Sequence, residues 1–321
     1  MKVNVELLIQ HGSNVFSPIV QEGITWATER KGCPGELQFK VVKDDTVSFA
    51  EGDAVRLKVN GLNVFYGFIF KKKRDKDQII SVTAYDQLRY LKNKDTYVYE
   101  NKKASDFIQM IASDFKLQTG SIENTKFEIP SRIEENTSLF DMIQNALDLT
   151  LENQKTMYVM YDDFGKITLK SLQNMQVNLM IDEQTGENFD YTSSIDDQTY
   201  NKVKLTYDNE ETGKREVYIA QHGKNISQWG VLQYFDTLQK GENGQMKADA
   251  LLALYNSKTR NLSIKNAIGD TRIRAGSMVV VMLNLGDVDV KTWMLVEKCK
   301  HEFKESQHFM NLTLRGGEFI A

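Results

Sequence analysis

The sequence predicts an α+β protein that is mainly β, in which two small β-domains of one design flank an insert of helices and a hairpin. Three observations carry this reading. One pattern of strands and turns occurs near both ends of the chain, apolar residues in the middle third recur at helical spacing, and strand patterning returns from Tyr191 onward. The domains expected from these shifts are residues 1–92, 93–190 and 191–321.

The repeat is read from residues 275–318 against residues 51–86. The later copy starts at Gly276-Ser277-Met278-Val279, runs to Leu283, turns at Asn284-Leu285-Gly286-Asp287, continues through Thr292–Lys298 and closes on Phe309–Leu314. The earlier copy starts at Gly52-Asp53-Ala54-Val55, runs to Val59, turns at Asn60-Gly61, continues through Val64–Ile69 and closes on Ile79–Thr83. Both follow one order: glycine start, apolar strand, glycine turn, aromatic strand, Lys-rich charged turn, strand reaching a threonine. Each scans as a three-stranded meander.

Taken in order, residues 1–50 alternate as strands at Val3–Leu7 and Glu36–Val41, with the breaker Gly32-Cys33-Pro34-Gly35 between them. Asp44-Asp45 follow the second strand and read as a turn. Tyr85–Leu91 reads as a short turn or helical exit from the first meander, and Asn93–Lys103 as a polar linker with one strand-like run, Thr96–Tyr99. Phe107, Ile108, Ile111, Ala112 and Phe115 then recur at helical spacing, with Ser105 or Asp106 near the start. A second helix is predicted from Ser138, with Asp141 completing a weak capping box and Leu139, Phe140, Ile143, Leu147 and Leu151 on one side. Met157–Tyr161 and Lys166–Lys170 flank Asp162-Asp163-Phe164-Gly165 as a hairpin. Strands return at Lys202–Tyr207 and Arg215–Ala220, around the polar loop Asp208–Gly213. A helix over about 245–257 should turn Met246, Ala250, Leu251 and Leu254 inward.

The totals bound the class. A chain of 321 residues with 41% hydrophobic and 26% charged residues has room for about two domains with cores of their own. Three prolines and no low-complexity tract exclude long disordered linkers. A net charge of −4 gives no footprint for nucleic acid or acidic lipid. No apolar run approaches the ~18 residues of a membrane helix, and Glu6 stands where the apolar part of a signal peptide would be. Cys33 and Cys299 lie too far apart in sequence to read as a disulfide framework. The expected location is the cytoplasm of the producing cell.

Chemistry-bearing residues are sparse. The four histidines limit acid–base and metal proposals, and Cys299, His301 and His308 form the one Cys/His cluster. Cys299, His301 and Phe303 alternate along a strand, so they share a sheet face and do not form a ligand loop. His11 and His222 sit beside Gly12 and Gly223 in turns. No nucleophile elbow, Walker-type loop or dinucleotide fingerprint occurs. The carboxylate pairs Asp162-Asp163 and Asp196-Asp197 are the candidates for glycoside hydrolysis, but each lies in a turn. Asp182, Gln184, Gly186 and Asp190 have the wrong spacing for a calcium loop. Lys71-Lys72-Lys73-Arg74 could grip phosphate, yet Asp75 and Asp77 follow at once, which favours a solvated turn. Trp26, Trp229 and Trp293 read as core or interface residues ahead of a sugar platform. The sequence therefore assigns no catalytic residue, no cofactor-binding residue, no metal ligand and no cofactor.

Four stretches, in this order, resemble the XkdQ/YqbQ-type baseplate hub proteins of contractile phage tails and phage-tail-like bacteriocins. They are Asp86–Leu91, Tyr200–Leu205, Ile226-Ser227-Gln228-Trp229-Gly230-Val231-Leu232-Gln233, and the helix from Ala248 to Leu254 leading into the last meander. The resemblance spans nearly the whole chain and carries a relation to late-control D proteins and to the hub part of type VI secretion spikes. It implies two tail-tube-like β-barrel domains with the small α+β domain between them, and a non-enzymatic homotrimer. Such a trimer sits below the tail tube or its initiator and above the spike, adapting six-fold symmetry to three-fold. A tape-measure protein in the lumen is a further implied partner. Nucleic acid would be met only in transit, and a membrane not at all. The same resemblance places the protein in the tail baseplate of the finished particle. Because the sequence stops at Ala321 without a needle or a lysozyme-like insert, the spike is expected on another polypeptide. The alternatives are a tail-associated cell-wall hydrolase using Asp162 or Asp196, and a carbohydrate-binding tail module using Trp229 or Trp293.

Overall fold

In the computed structural model, which describes residues 2–43, 48–196, 198–210, 212–238, 242–284 and 289–316, the chain opens with seven strands. These are β1 (Val5–His11), β2 (Asn14–Phe16), β3 (Val20–Glu29), β4 (Glu36–Val42), β5 (Ala54–Val59), β6 (Leu62–Arg74) and β7 (Ile79–Tyr85). Leu37, Phe39 and Val41, with Val82 and Ala84, all turn to one buried face, as the period of two requires. Each such side chain contributes about 1.5–3 kcal/mol on burial.

A 3-10 turn over Gln87–Lys92 leads into β8 (Lys94–Lys103), α1 (Ala104–Asp114), β9 (Thr119–Ile122), β10 (Glu128–Ser138), α2 (Leu139–Gln154), β11 (Tyr158–Asp162) and β12 (Ile167–Ser171). The polar stretch expected as a linker is β8, which pairs with β10 over the two helices. The α2 start is where the capping signal put it: Ser138 Oγ accepts the Asp141 amide at 3.2 Å and bonds its carboxylate at 2.6 Å. Phe107, Ile111, Leu139 and Ile143 are buried in the core of this middle unit.

The chain then makes β13 (Gln176–Ile181) and β14 (Asn188–Ser194). A side unit follows: β15 (Lys202–Asn209), β16 (Lys214–Gln221), α3 (Gly223–Trp229), β17 (Gln233–Thr237) and α4 (Gly244–Tyr255). The last four strands are β18 (Thr259–Ile268), β19 (Met278–Asn284), β20 (Asp289–Lys304) and β21 (Gln307–Gly316). In α4 the buried face is Gly244, Ala248 and Leu251, whereas Met246 is exposed. The helix is rotated from the expected face because Gly244 lies against the Tyr218 ring, where any side chain would collide. Of the expected turn at 284–287 only Asn284 is described; its other three residues, the Asp44-Asp45 pair and Asp197 lie outside the described residues, as do Glu211 and Glu318.

The first seven strands and the set β13, β14, β18–β21 form one 13-stranded sheet with two like arms. In the first arm the order is β3-β4-β7-β6-β5-β1; in the second it is β14-β18-β21-β20-β19-β13. Neighbours are antiparallel throughout, except that β13 runs parallel to β19 where β1 runs antiparallel to β5. The likeness extends to single hydrogen bonds. Gly52 N donates to Ile69 O and Ile69 N to Asp53 O, at 2.8 and 2.9 Å; Gly276 N donates to Val296 O and Val296 N to Ser277 O, both at 2.8 Å. Gly52 and Gly276 take φ of +94° and +92°, a conformation that favours glycine. Directly after each site the strand bulges, between Ile69 and Lys71 and between Val296 and Lys298. No sheet closes into a barrel among the described residues: the strand path stays open at β2 and β14. The molecule is therefore mainly β, and among the described residues no helix is long and apolar enough to cross a membrane.

Candidate functional site

The place where all parts of the molecule converge is the seam between the arms. One edge of β20 pairs with β21 from Leu295 to Lys304. On the other edge, Asp289–Leu295 pairs with β19 and Lys298–Phe303 with β3. The bulge at Glu297 separates these two partners and re-aims the strand, so a single strand serves both arms.

Side chains lock the seam on both faces. On the buried face Trp26 stacks on His301, with centroids 4.6 Å apart and planes 15° apart, and Phe303 stacks on His308 at 4.4 Å. On the other face Lys298 reaches Glu29 at 3.0 Å. At the end of β3, Arg30 grips Glu297 with two bonds, Nε to Oε2 at 2.8 Å and a terminal nitrogen to Oε1 at 2.9 Å. This fork geometry is the strong form of the arginine–carboxylate pair. The Arg30 side chain is 7% exposed, so the pair is largely withdrawn from water. Thr28 Oγ1 accepts the Ala275 amide at 2.9 Å, tying the loop before β19 to β3.

The two histidines of the Cys/His cluster are packing groups of this seam. His301 Nε2 lies 2.9 Å from Ile273 O and donates to it. Its Nδ1 is then the acceptor for His308 Nε2–H at 2.8 Å. Burial, and next the neighbouring His308, push His301 down to about 3; burial lowers His308 to about 4. Burial pushes the Cys299 thiol up, and its sulfur sits 3.1 Å from the same His301 nitrogen. This is the arrangement of neutral, inert groups.

The middle unit reaches both arms through its β11–β12 hairpin. Gly165, at φ +84°, lies against the Tyr66 ring of the first arm, and Gly276 of the second arm lies against Val159. Arg274 spans Tyr161 at 4.3 Å and Trp26 at 5.7 Å. Beneath it are two buried carboxyls. Asp86 accepts the Gly35 and Leu88 amides at 2.8 and 3.0 Å, and Asp162 accepts the Gly165 amide at 2.7 Å. Burial, and then the charge of Asp162, hold Asp86 well above the usual carboxylate range; burial raises Asp162 to about 6. Among the described residues, one Asp162 oxygen is buried with no hydrogen-bond partner.

Asp162 is thus a buried turn-capping group, while Asp163 is exposed beside it and Asp196 is exposed after β14. Asp182 caps its own turn by accepting the Gln184 amide. His11 pairs with Asp53 at 2.8 Å, and His222 caps α3. Among the described residues, no group of three or more His, Cys, Asp or Glu is arranged to hold a metal. Trp26 is buried, whereas Trp229 and Trp293 are half-buried. The residues missed by sequence reasoning are Arg30, Glu297 and Arg274. Ile24-Thr25-Trp26-Ala27-Thr28 carries the one signal that could have placed a strand beside them, an alternation ending in a charged residue.

Comparison with known proteins gives this architecture a family. The profile of the YQBQ-like family matches residues 24–315. The chain belongs to that family. It is 32% identical over 308 residues to the uncharacterized protein YqbQ of Bacillus subtilis, covering 92% of each chain. It is 30% identical, with the same coverage, to the phage-like element PBSX protein XkdQ of the same organism. Among solved structures it is similar in fold to the 43 kDa tail protein of prophage MuSo2 from Shewanella oneidensis, with a TM-score of 0.70, 11% identity and 96% and 98% of the two chains covered. The tail protein of Neisseria meningitidis MC58 matches with a TM-score of 0.70, 11% identity and coverage of 98% and 97%. The four sequence stretches thus pointed to the right family, and the fold of this YQBQ-like chain is that of prophage tail proteins.

Proposed function

We propose that this YQBQ-like protein is a structural hub of a tail baseplate, acting as a homotrimer without catalytic activity. The observation that carries the reading is the pair of like arms fused through β20. A tube built of six-fold rings presents six equivalent positions, and three chains with two like arms each offer six matching ones. The spike below would then meet a true three-fold surface.

The two faces of the sheet support the same reading. One face carries the cores, whereas the other presents mainly polar side chains across the seam, broken by Ala27 opposite Lys300 and Phe309 opposite Glu302. Thr313, Asn311 and Lys300 of the second arm are followed by Thr25, Gln38 and Thr83 of the first. A wall of this kind suits a water-filled bore, through which a tape-measure protein or nucleic acid would pass without adhering. In this reading the two open arms act as the tail-tube-like units, the first within residues 1–92 and the second comprising the expected 191–321 together with β13 and β14, while the unit from β8 to β12 is held outside the ring. Tube or tube initiator would sit above and a separate spike polypeptide below, and the protein would be assembled in the cytoplasm before joining the particle.

Quantitative mass spectrometry of purified tails tests the reading. Three copies per tail are expected; six copies, or absence from the particle, would overturn it. Incubation of the pure chain with cell walls should release no soluble fragments, and release would favour the hydrolase alternative instead.

A further inference from the structure

The seam inside one chain specifies where the next chain should join, and this inference rests on the trimeric ring proposed above. We infer that the second half of β6 is the docking edge for β14 of a neighbouring copy, paired in the register that β20 and β3 use within a chain.

Equivalent positions follow from the matched hydrogen bonds. Ile69 and Val296 occupy the same place in the two meanders, each just before the bulge, so Lys71–Arg74 correspond to Lys298–His301. On the other side, Leu37 faces Ala84 and Trp26, while Leu262 faces Leu314 and Tyr191. Tyr191 is therefore the counterpart of Trp26, and Phe189–Ser194 that of Ile24–Glu29. In the second arm the Lys298–Phe303 edge is filled by β3. In the first arm β5 pairs with β6 only as far as Phe68, and no strand among the described residues pairs with β6 beyond it on that side. β14 likewise has β18 on one edge and, among the described residues, no strand on the other. The structure thus leaves one donor edge and one acceptor edge of the type it uses at its own seam.

Transferring the seam register puts Lys71 opposite Ser194, Lys73 opposite Thr192 and Arg74 opposite Tyr191 of the next copy. An arginine over a tyrosine takes the place of His301 over Trp26. Tyr191 and Phe189 are half-buried in the single chain, whereas their counterparts Trp26 and Ile24 are buried. Charge points the same way: Lys71-Lys72-Lys73-Arg74 would meet a strand that contains Asp190 and is flanked by Glu187 and Asp196. Asp75 falls opposite Asp190, but its carboxylate already accepts the Asp77 and Ile79 amides, which sets the end of the pairing. The basic run, a solvated turn by sequence alone, becomes an edge guarded by lysines until its partner arrives.

Cysteine pairs in the full-length chain test the register, with Cys33→Ser removing the half-exposed native thiol. Facing residues of an antiparallel pair bring Cβ atoms to disulfide range, whereas a displacement of four residues does not. Lys73→Cys with Thr192→Cys, oxidised in assembled tails, should give covalent trimers on a non-reducing gel. Lys71→Cys with Asp190→Cys should stay monomeric, and Ala27→Cys with Lys300→Cys should close within the monomer. Three copies per tail with no Lys73–Thr192 link, or with an equal link from the displaced pair, would overturn this pairing and leave the hub reading standing. A copy number other than three would overturn both.

Discussion

Trp26 of β3 and His301 of β20 face each other across the seam in register, and their rings stack 4.6 Å apart. They come from opposite ends of the chain, yet they sit in one layer with Arg274 over the indole. The pair joins the two arms into one sheet, and removing its larger member should loosen that junction first. Trp26→Ala is expected to lower stability by about 3–5 kcal/mol, the usual cost of deleting a buried tryptophan. Trp26→Phe keeps a ring over His301 and should cost less. Chemical denaturation of the two variants beside the parent chain measures both.

The histidine pair predicts an acid-sensitive seam. The folded state holds His301 and His308 at about 3 and 4, below their ordinary 6.5, so the unfolded chain binds protons first as pH falls. Stability from these groups is complete above about pH 6.5 and is lost progressively down to pH 4 and below. His308→Gln should flatten the stability profile between pH 6.5 and 4, as read from urea midpoints at stepped pH. An unchanged slope would contradict the assignment.

Asp162 works in the opposite sense. Its folded value is raised to about 6 from the ordinary 3.8, so its contribution is fully present below about pH 4 and is lost as pH rises through 6. Asp162→Asn keeps an oxygen for the Gly165 amide and cannot ionise. The variant should be more stable than the parent at pH 7–8, and this gain should vanish as the pH approaches 4. Thermal melts across that range decide it.

The two matched glycines differ in what surrounds them. Gly52 has open space where a Cβ would go, whereas at Gly276 a Cβ would run into Val159 of the middle unit. Gly52→Ala should cost about 1–2 kcal/mol for the left-handed backbone alone. Gly276→Ala should add roughly 1–3 kcal/mol of overpacking. Combining Gly276→Ala with Val159→Ala should recover part of the second amount only. Equal losses at 52 and 276 would contradict the close contact between hairpin and second arm.

Much of this architecture was legible because its signals are local. The Gly52 and Gly276 starts, the apolar run Val279–Leu283, the Ser138 cap and the helical spacing of Phe107–Phe115 each depend on residues within one element. The seam was not legible, because it depends on residues far apart in sequence, such as Arg30 and Glu297. The repeat ends its aromatic strand at Lys298, yet β20 continues to Lys304 because β3 supplies a partner edge for Lys298–Phe303. The parallel placement of β13 on β19 and the rotation of α4 under Tyr218 were also tertiary choices. His301 was placed correctly on a strand face, but its role as a stacking partner needed Trp26, which no spacing rule connects to it.

The proposal that three chains imitate six subunits is tested most directly by an electron cryo-microscopy map of the distal tail, refined without imposed symmetry. The account predicts a ring of three chains in which like arms recur at steps of about 60°, with full agreement only at every third of a turn. A ring of six chains, or three chains whose arms occupy unlike positions around the bore, would contradict it.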